Sequence, residues 1–189
     1  MIQILEYKHI PFPAYMNQIE LEKTYLVKFI PEGALQAKSE EILDVYIPVS
    51  KDHPTLRLRK RGRKFEITKK FPVEEKDSSC QNEHTIELDE EEFESIAGVE
   101  GKRVRKVRYV FEYEGKMGEL DVFQDGLKGL ILVDFEFETI KEKDALQTPD
   151  FCLADVTQEK VFAGGMLCGK TYLDIEPFLK KYKYKRIEL

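Results

Sequence analysis

The stretch ELDVFQDGLKGLILVDFEFE, residues 119–138, decides how this chain is read. At its start Glu119 and Asp121 flank Leu120; at its end Asp134, Glu136 and Glu138 alternate with Phe135 and Phe137. Successive side chains on a β-strand point to opposite faces, so each end has one acidic face and one apolar face. Asp125-Gly126 between them supplies turn residues, which predicts two antiparallel strands joined by a short connection.

The same period of two recurs in both directions along the chain. Glu20-Leu21-Glu22, Arg57-Leu58-Arg59, Glu66-Ile67-Thr68 followed by Lys69-Lys70, and Lys106-Val107-Arg108 all show it. A solvated sheet face usually intersperses the two signs, whereas these rows are mostly acidic on some strands and basic on others. Their apolar partners, among them Leu56, Leu58, Phe65, Ile67, Phe71, Val107, Tyr109 and Phe111, have to be buried. Segments 18–30, 42–49, 55–61, 64–71, 83–88, 103–114, 118–124 and 130–138 read as strands, rich in Val, Ile, Tyr and Phe. Helices are expected over 31–38, over 89–96 with Asp89 as the cap, and from about Thr171 onward. The class is α+β, mainly antiparallel β, arranged as a sandwich or a barrel. If the sheet closes and helices cover its outside, the charged faces line a polar lumen. Lys69, which interrupts an apolar row, then belongs at an uncovered part of the wall.

Composition bounds the function. The 189 residues suit one domain, 1–189, and 35% charged is well above the usual quarter. A formal net charge of −6 argues against general nucleic-acid binding but leaves room for a local basic cavity. The start, MIQILEYKHIPFPAYM, lacks the apolar core of a secretory signal, and no stretch approaches a membrane span. Cys80, Cys152 and Cys168 are odd in number and lack metal-ligand spacing, which reads as reduced thiols of a cytoplasmic protein. His9, His53 and His84 are scattered and read as structural or exposed.

The charged rows also point to a ligand. Glu20, Glu22, Glu87, Glu119, Asp121, Asp134 and Glu136 stand against Arg57, Arg59, Lys70, Lys106 and Arg108. An enclosed surplus of charge is costly unless it is paired or bound to metal. Divalent cations on the acidic rows and a polyanion on the basic rows bring opposite charges that offset one another. A competing motif, Gly164 to Thr171, satisfies GxxxxGK[ST], whose amides cradle phosphates in P-loop proteins. That motif needs a parallel sheet with crossover helices, which the period-two pattern does not supply; the competing reading is a glycine-rich turn with Thr171 capping a final helix.

In order and spacing, IELEKTYLV from Ile19, LRLRKRG from Leu56, FEITKKF from Phe65, VRKVRY from Val104, the stretch from Glu119 to Glu138 and DVT from Asp155 resemble the CYTH family, or triphosphate tunnel metalloenzymes. The matched core spans about 18–170, with 171–189 as a helical tail. The resemblance implies an eight-stranded closed β-barrel tunnel with helices packed outside. It implies a hydrolase of inorganic tripolyphosphate or of nucleoside or thiamine triphosphates, with Mg²⁺ or Mn²⁺ as cofactor. A class IV adenylyl cyclase and a non-catalytic polyphosphate- or nucleotide-binding module are the alternatives, and a homodimer stays open. By position Glu20, Glu22, Asp134 and Glu136 would hold metal; Arg57, Arg59, Lys70, Lys106 and Arg108 would hold phosphate; Glu22, Lys70, Asp121 and Glu136 would be catalytic. The chain departs from the family at Thr24, where a lysine is expected while Lys23 points to the other face, at Asp134, where a glutamate is expected, and at Thr85, where many members carry arginine.

Overall fold

The computed structural model describes residues 18–74 and 76–189; the reading of residues 1–16 as lacking a signal lies outside them. The strands are β1 (Gln18–Val27), β2 (Lys38–Ile47), β3 (Leu56–Arg61), β4 (Lys64–Glu74), β5 (Asp77–Leu88), β6 (Lys102–Tyr113), β7 (Lys116–Phe123), β8 (Ile131–Phe137) and β9 (Cys152–Asp155). The sheet runs in the order β5-β4-β3-β2-β6-β7-β8-β1-β9, and a further pairing of β5 with β1 closes the first eight into an antiparallel barrel. Strand β1 shares one edge between two partners, pairing with β5 over Gln18–Leu21 and with β9 over Tyr25–Val27. Between them the backbone N–H of Thr24 donates to Thr157 Oγ1 at 3.0 Å, and the Val156 amide donates to the Thr24 carbonyl at 2.8 Å.

Three apolar clusters explain why the alternation closes this way. Val45, Leu58, Phe65 and Ile67 face outward and are covered by Phe93 and Ile96 of helix α1 (Glu90–Ala97). Asp89 caps that helix in a capping box with Glu92. Tyr25, Phe111, Leu120, Val133 and Phe135 also face outward and pack under Ala34, Phe151 and Leu146, which follows helix α2 (Ile140–Ala145). The third cluster lies elsewhere. On the inner faces, polar and charged side chains give way to apolar ones toward one end of the barrel: Thr24 to Leu26, Asp44 to Tyr46, Lys106 to Val104, Asp121 to Phe123 and Asp134 to Leu132. These pack with Val156, Phe162, Leu167, and Ile175 and Leu179 of α4 (Tyr172–Lys181), so the carboxy-terminal segment covers that end rather than the outer wall.

Several expectations are corrected. Only a single 3₁₀ turn, Ala34–Gln36, forms within 31–38, because Gly33 turns left-handed (φ 79°) before it and Ala37 is already extended after it. Strand β5 begins at Asp77, six residues before the expected start, since its inner Gln81 is satisfied by Glu22 of the neighbouring β1 rather than by an apolar face. The short β9 and α2 were not anticipated; Thr139 caps α2 with Glu142. Helix α3 (Gly164–Leu167) occupies the P-loop-like motif. A Cβ at Gly164 would collide with the Tyr46 hydroxyl, and one at Gly165 would lie 2.5 Å from the Pro54 carbonyl oxygen. The two glycines therefore serve close packing, Lys170 is exposed, and every strand pairing is antiparallel. Lys69 is exposed as expected and donates to Thr55 Oγ1 at 2.6 Å.

Candidate active site

All ten residues to which the resemblance assigns a role, Glu20, Glu22, Arg57, Arg59, Lys70, Lys106, Arg108, Asp121, Asp134 and Glu136, line one cavity of about 480 Å³ inside the barrel. The register explains it. Glu22 stands opposite Glu136, Thr24 opposite Asp134, Arg108 opposite Asp121 and Asp44 opposite Arg59, and directly opposed residues in an antiparallel pair share a face. Going round the wall, β4, β3 and β6 bring Lys70, Arg57, Arg59, Arg61, Lys106 and Arg108, while β7, β8, β1 and β5 bring Glu119, Asp121, Asp134, Glu136, Glu20, Glu22 and Glu83. One side of the wall is mainly cationic and the other mainly carboxylate.

Asp44, Glu66, Glu83, Glu159, Arg61 and Lys160 also line the cavity, and the expected Glu87 does not: it is exposed beyond the rim, although it shares the inner face of β5. A period of two identifies a face; it does not say where along the strand the cavity ends. His53 lines the cavity, with burial first and then Lys160 lowering its pKa, whereas His84 stacks on Phe71 and His9 lies outside the described residues. The three cysteines are free.

The deepest charges are fully paired. Asp44, 2% exposed, accepts from Arg59 Nε at 2.7 Å and Arg59 Nη2 at 2.8 Å, a bidentate fork. Burial alone would raise the Asp44 carboxyl, but the Arg59 guanidinium outweighs it and holds the group well below the ordinary carboxylate range. Asp121, also 2% exposed, accepts from Arg108 at 2.7 and 2.6 Å and from Lys106. Burial opposes ionisation there too, yet Arg108 and Lys106 bring Asp121 down to about 2. Arg108 continues to Glu119 and, at 3.3 Å, to Asp134 Oδ2, whose other oxygen accepts from Thr24 Oγ1 at 2.7 Å. Burial and the neighbouring Arg108 lower the Lys106 pKa.

The outer carboxylates differ. Glu22 is raised from about 4.5 to about 7, by burial first and then by Glu20 and Asp134, against the opposing pull of Lys70. Its Oε1 accepts from Lys70 Nζ and from Gln81 Nε2, both at 3.0 Å. Glu136 is raised as well, by burial and by the charges of Glu119 and Glu20. Arg57 Nε is buried with no hydrogen-bond partner among the described residues. A buried guanidinium nitrogen without an acceptor is costly and is suited to an anion entering from the cavity. Thr85, at the third departure, donates to Glu83 Oε1 at 2.9 Å and lies 2.9 Å from Thr68 Oγ1.

Among the described residues no three carboxylate, imidazole or thiolate groups are assembled into a ready-made cation site. The donor chemistry nonetheless fits a hard divalent cation. Glu20 and Glu22 on β1 and Asp134 and Glu136 on β8 are all-oxygen ligands on paired strands, and a cation would offset both the burial that chiefly raises Glu22 and Glu136 and the carboxylate repulsion that adds to it.

An inorganic triphosphatase from Nitrosomonas europaea is 32% identical over 143 residues, spanning 75% of this chain and 91% of that protein. The chain belongs to the CYTH family. No family model matches the sequence. A crystal structure of an inorganic triphosphatase covers 80% of this chain and 95% of its own with a TM-score of 0.59 and 28% identity. An adenylate cyclase candidate from Bacillus halodurans shares the fold, with a TM-score of 0.51 and 13% identity over 90% of this chain and 92% of its own. The CYTH tunnel is thus the cavity described above, built from the barrel's inner faces.

Proposed function

We propose that this CYTH protein is a metal-dependent triphosphatase that hydrolyses a phosphoanhydride bond inside the tunnel. The observation that carries the reading is the division of one cavity wall into a cationic arc, with the unpartnered Nε of Arg57, and a carboxylate arc in which Glu22 and Glu136 resist ionisation. The relative from Nitrosomonas europaea is an inorganic triphosphatase, which favours inorganic tripolyphosphate among triphosphate-containing substrates.

Arg57, Arg59, Lys70, Lys106 and Arg108 bind phosphate oxygens, the arginines as planar forks and the lysines as compact charges. Asp44 fixes the plane of Arg59, and Asp121 fixes Lys106 and Arg108. Asp121, expected to be catalytic, is saturated by these two cations, and we assign it a positioning role. Glu20, Glu22, Asp134 and Glu136 are the residues that would hold Mg²⁺ or Mn²⁺; when bound, the ion supplies charge neutralisation and polarisation of a phosphoryl oxygen. Water adds its oxygen to the terminal phosphorus, the bridging P–O bond breaks, and tripolyphosphate plus water gives orthophosphate and pyrophosphate. The cationic arc stabilises the charge that builds on the transferring phosphoryl group. We place the protein in the cytoplasm on its three free cysteines, and no helix of the described residues is long and apolar enough to cross a membrane.

The test is purified protein with tripolyphosphate, ATP or thiamine triphosphate and Mg²⁺ or Mn²⁺, scoring orthophosphate, pyrophosphate and cyclic AMP. Orthophosphate release from tripolyphosphate, lost in excess chelator, supports the reading. Cyclic AMP with pyrophosphate as the main products replaces it with cyclase activity, and binding without turnover of any substrate replaces it with a binding module.

A further inference from the structure

Lys70 stands on β4, within the cationic arc, yet it pairs with none of that arc's carboxylates. Its Nζ pairs with Glu20 and with Glu22 Oε1 at 3.0 Å, and Glu83 Oε2 is 4.0 Å away. To reach Glu20 and Glu22 it crosses over β5, which lies between β4 and β1 in the barrel. Arg59, Lys106 and Arg108 pair most closely with Asp44, Asp121 and Glu119 on directly neighbouring strands, Arg108 reaching Asp134 on β8 only at 3.3 Å, and their side chains are at most 10% exposed, against 22% for Lys70. A single ammonium therefore sits among three carboxylates, at the end of a flexible four-carbon stem, on two of the residues that would hold a divalent cation.

We propose that Lys70 is a displaceable internal counterion that couples divalent-cation binding to polyphosphate binding, exchanging Glu20 and Glu22 for the phosphate chain. The inference rests on the reading of the tunnel as a metal and phosphate site. A cation that takes Glu20 and Glu22 removes the partners of Lys70 and frees its ammonium for phosphate. A phosphate chain that takes Lys70 frees the same carboxylates for the cation. By linkage the two effects are equal, so each ligand tightens the other.

The experiment is calorimetric titration of Mn²⁺ into phosphate-free protein, comparing the native chain with Lys70→Gln and Lys70→Arg, each checked for native melting behaviour. Lys70→Gln is expected to bind Mn²⁺ about tenfold or more tightly than the native chain, within the usual span of coupling between two ligands, while Lys70→Arg stays close to native. In parallel, acylation of the Lys70 amine, followed by mass spectrometry, is expected to speed up severalfold when Mn²⁺ is added alone. Equal Mn²⁺ affinity in the native and Lys70→Gln proteins, or an acylation rate unmoved by saturating Mn²⁺, overturns the exchange and leaves the metal site standing. Absence of Mn²⁺ binding in both proteins overturns the exchange together with the metal assignment beneath it.

Discussion

Two sets of carboxylates share one tunnel and behave in opposite ways. Asp44 and Asp121 lie deep, each gripped by guanidinium or ammonium groups, and both are held below the ordinary range. Glu22 and Glu136 lie further along the same wall and are pushed upward by burial and by neighbouring carboxylates. Charge that the fold already satisfies holds the architecture in place, whereas charge that the fold leaves in conflict is where a ligand gains most by binding. The same contrast separates the cations: Arg59 commits two of its donors to Asp44, while Arg57 keeps a buried donor without an acceptor among the described residues.

The contrast is broken most severely at Glu22. Glu22→Gln keeps the shape and removes a ligand charge, so turnover should fall about a thousandfold or more while the fold persists, each tenfold being about 1.4 kcal/mol in barrier. Steady-state phosphate release alongside circular dichroism checks it. Asp121→Asn should do the reverse, damaging stability before chemistry: breaking a buried pair typically costs about 3–5 kcal/mol because Lys106 and Arg108 lose their countercharge. A melting temperature within a degree or two of native would deny Asp121 the positioning role.

The sequence was legible where charge repeats with one sign. Glu20 with Glu22, Arg57 with Arg59, and Asp134 with Glu136 each place two like charges on one face, and all of them reach the cavity. Asp44 is not legible in this way because the inner face of β2 around it reads Ile42, Asp44, Tyr46, a single charge between large side chains. Period two does not separate Glu83 from Glu87, because both share one face of β5 and the distance to the rim depends on strand stagger. The covered end was not legible either, since Leu26, Phe123 and Leu132 look like any buried apolar residues until the chain beyond Val156 folds onto them.

A milder perturbation sharpens the comparison between the arginines. Arg57→Ala should weaken triphosphate binding by about 1.5–3 kcal/mol, the scale of a charge-assisted hydrogen bond, with little change in stability. Lys170→Ala, on the exposed P-loop-like segment, should leave affinity unchanged. Competition with a labelled polyphosphate reads both.

The smallest effect is one of pH. Glu22 has a folded pKa raised from about 4.5 to about 7, so its stabilising contribution is complete below about 4.5 and is lost as pH rises through about 7. In metal-free protein, Glu22→Gln should flatten that decline and gain about 1–3 kcal/mol over the native chain at pH 8. Denaturant midpoints at pH 4.5 and pH 8 measure the slope; identical slopes would show that Glu22 is not in electrostatic conflict.

The central claim, a carboxylate arc for metal facing a cationic arc for phosphate, is tested most directly by a crystal structure with Mn²⁺ and a non-hydrolysable imido analogue of tripolyphosphate, using anomalous scattering to place the ion. The account predicts manganese against Glu20 and Glu22 and phosphate oxygens against Arg57 and Arg59. Manganese bound outside the tunnel, or an analogue seated at Gly164–Thr171 with the arginines untouched, would contradict it.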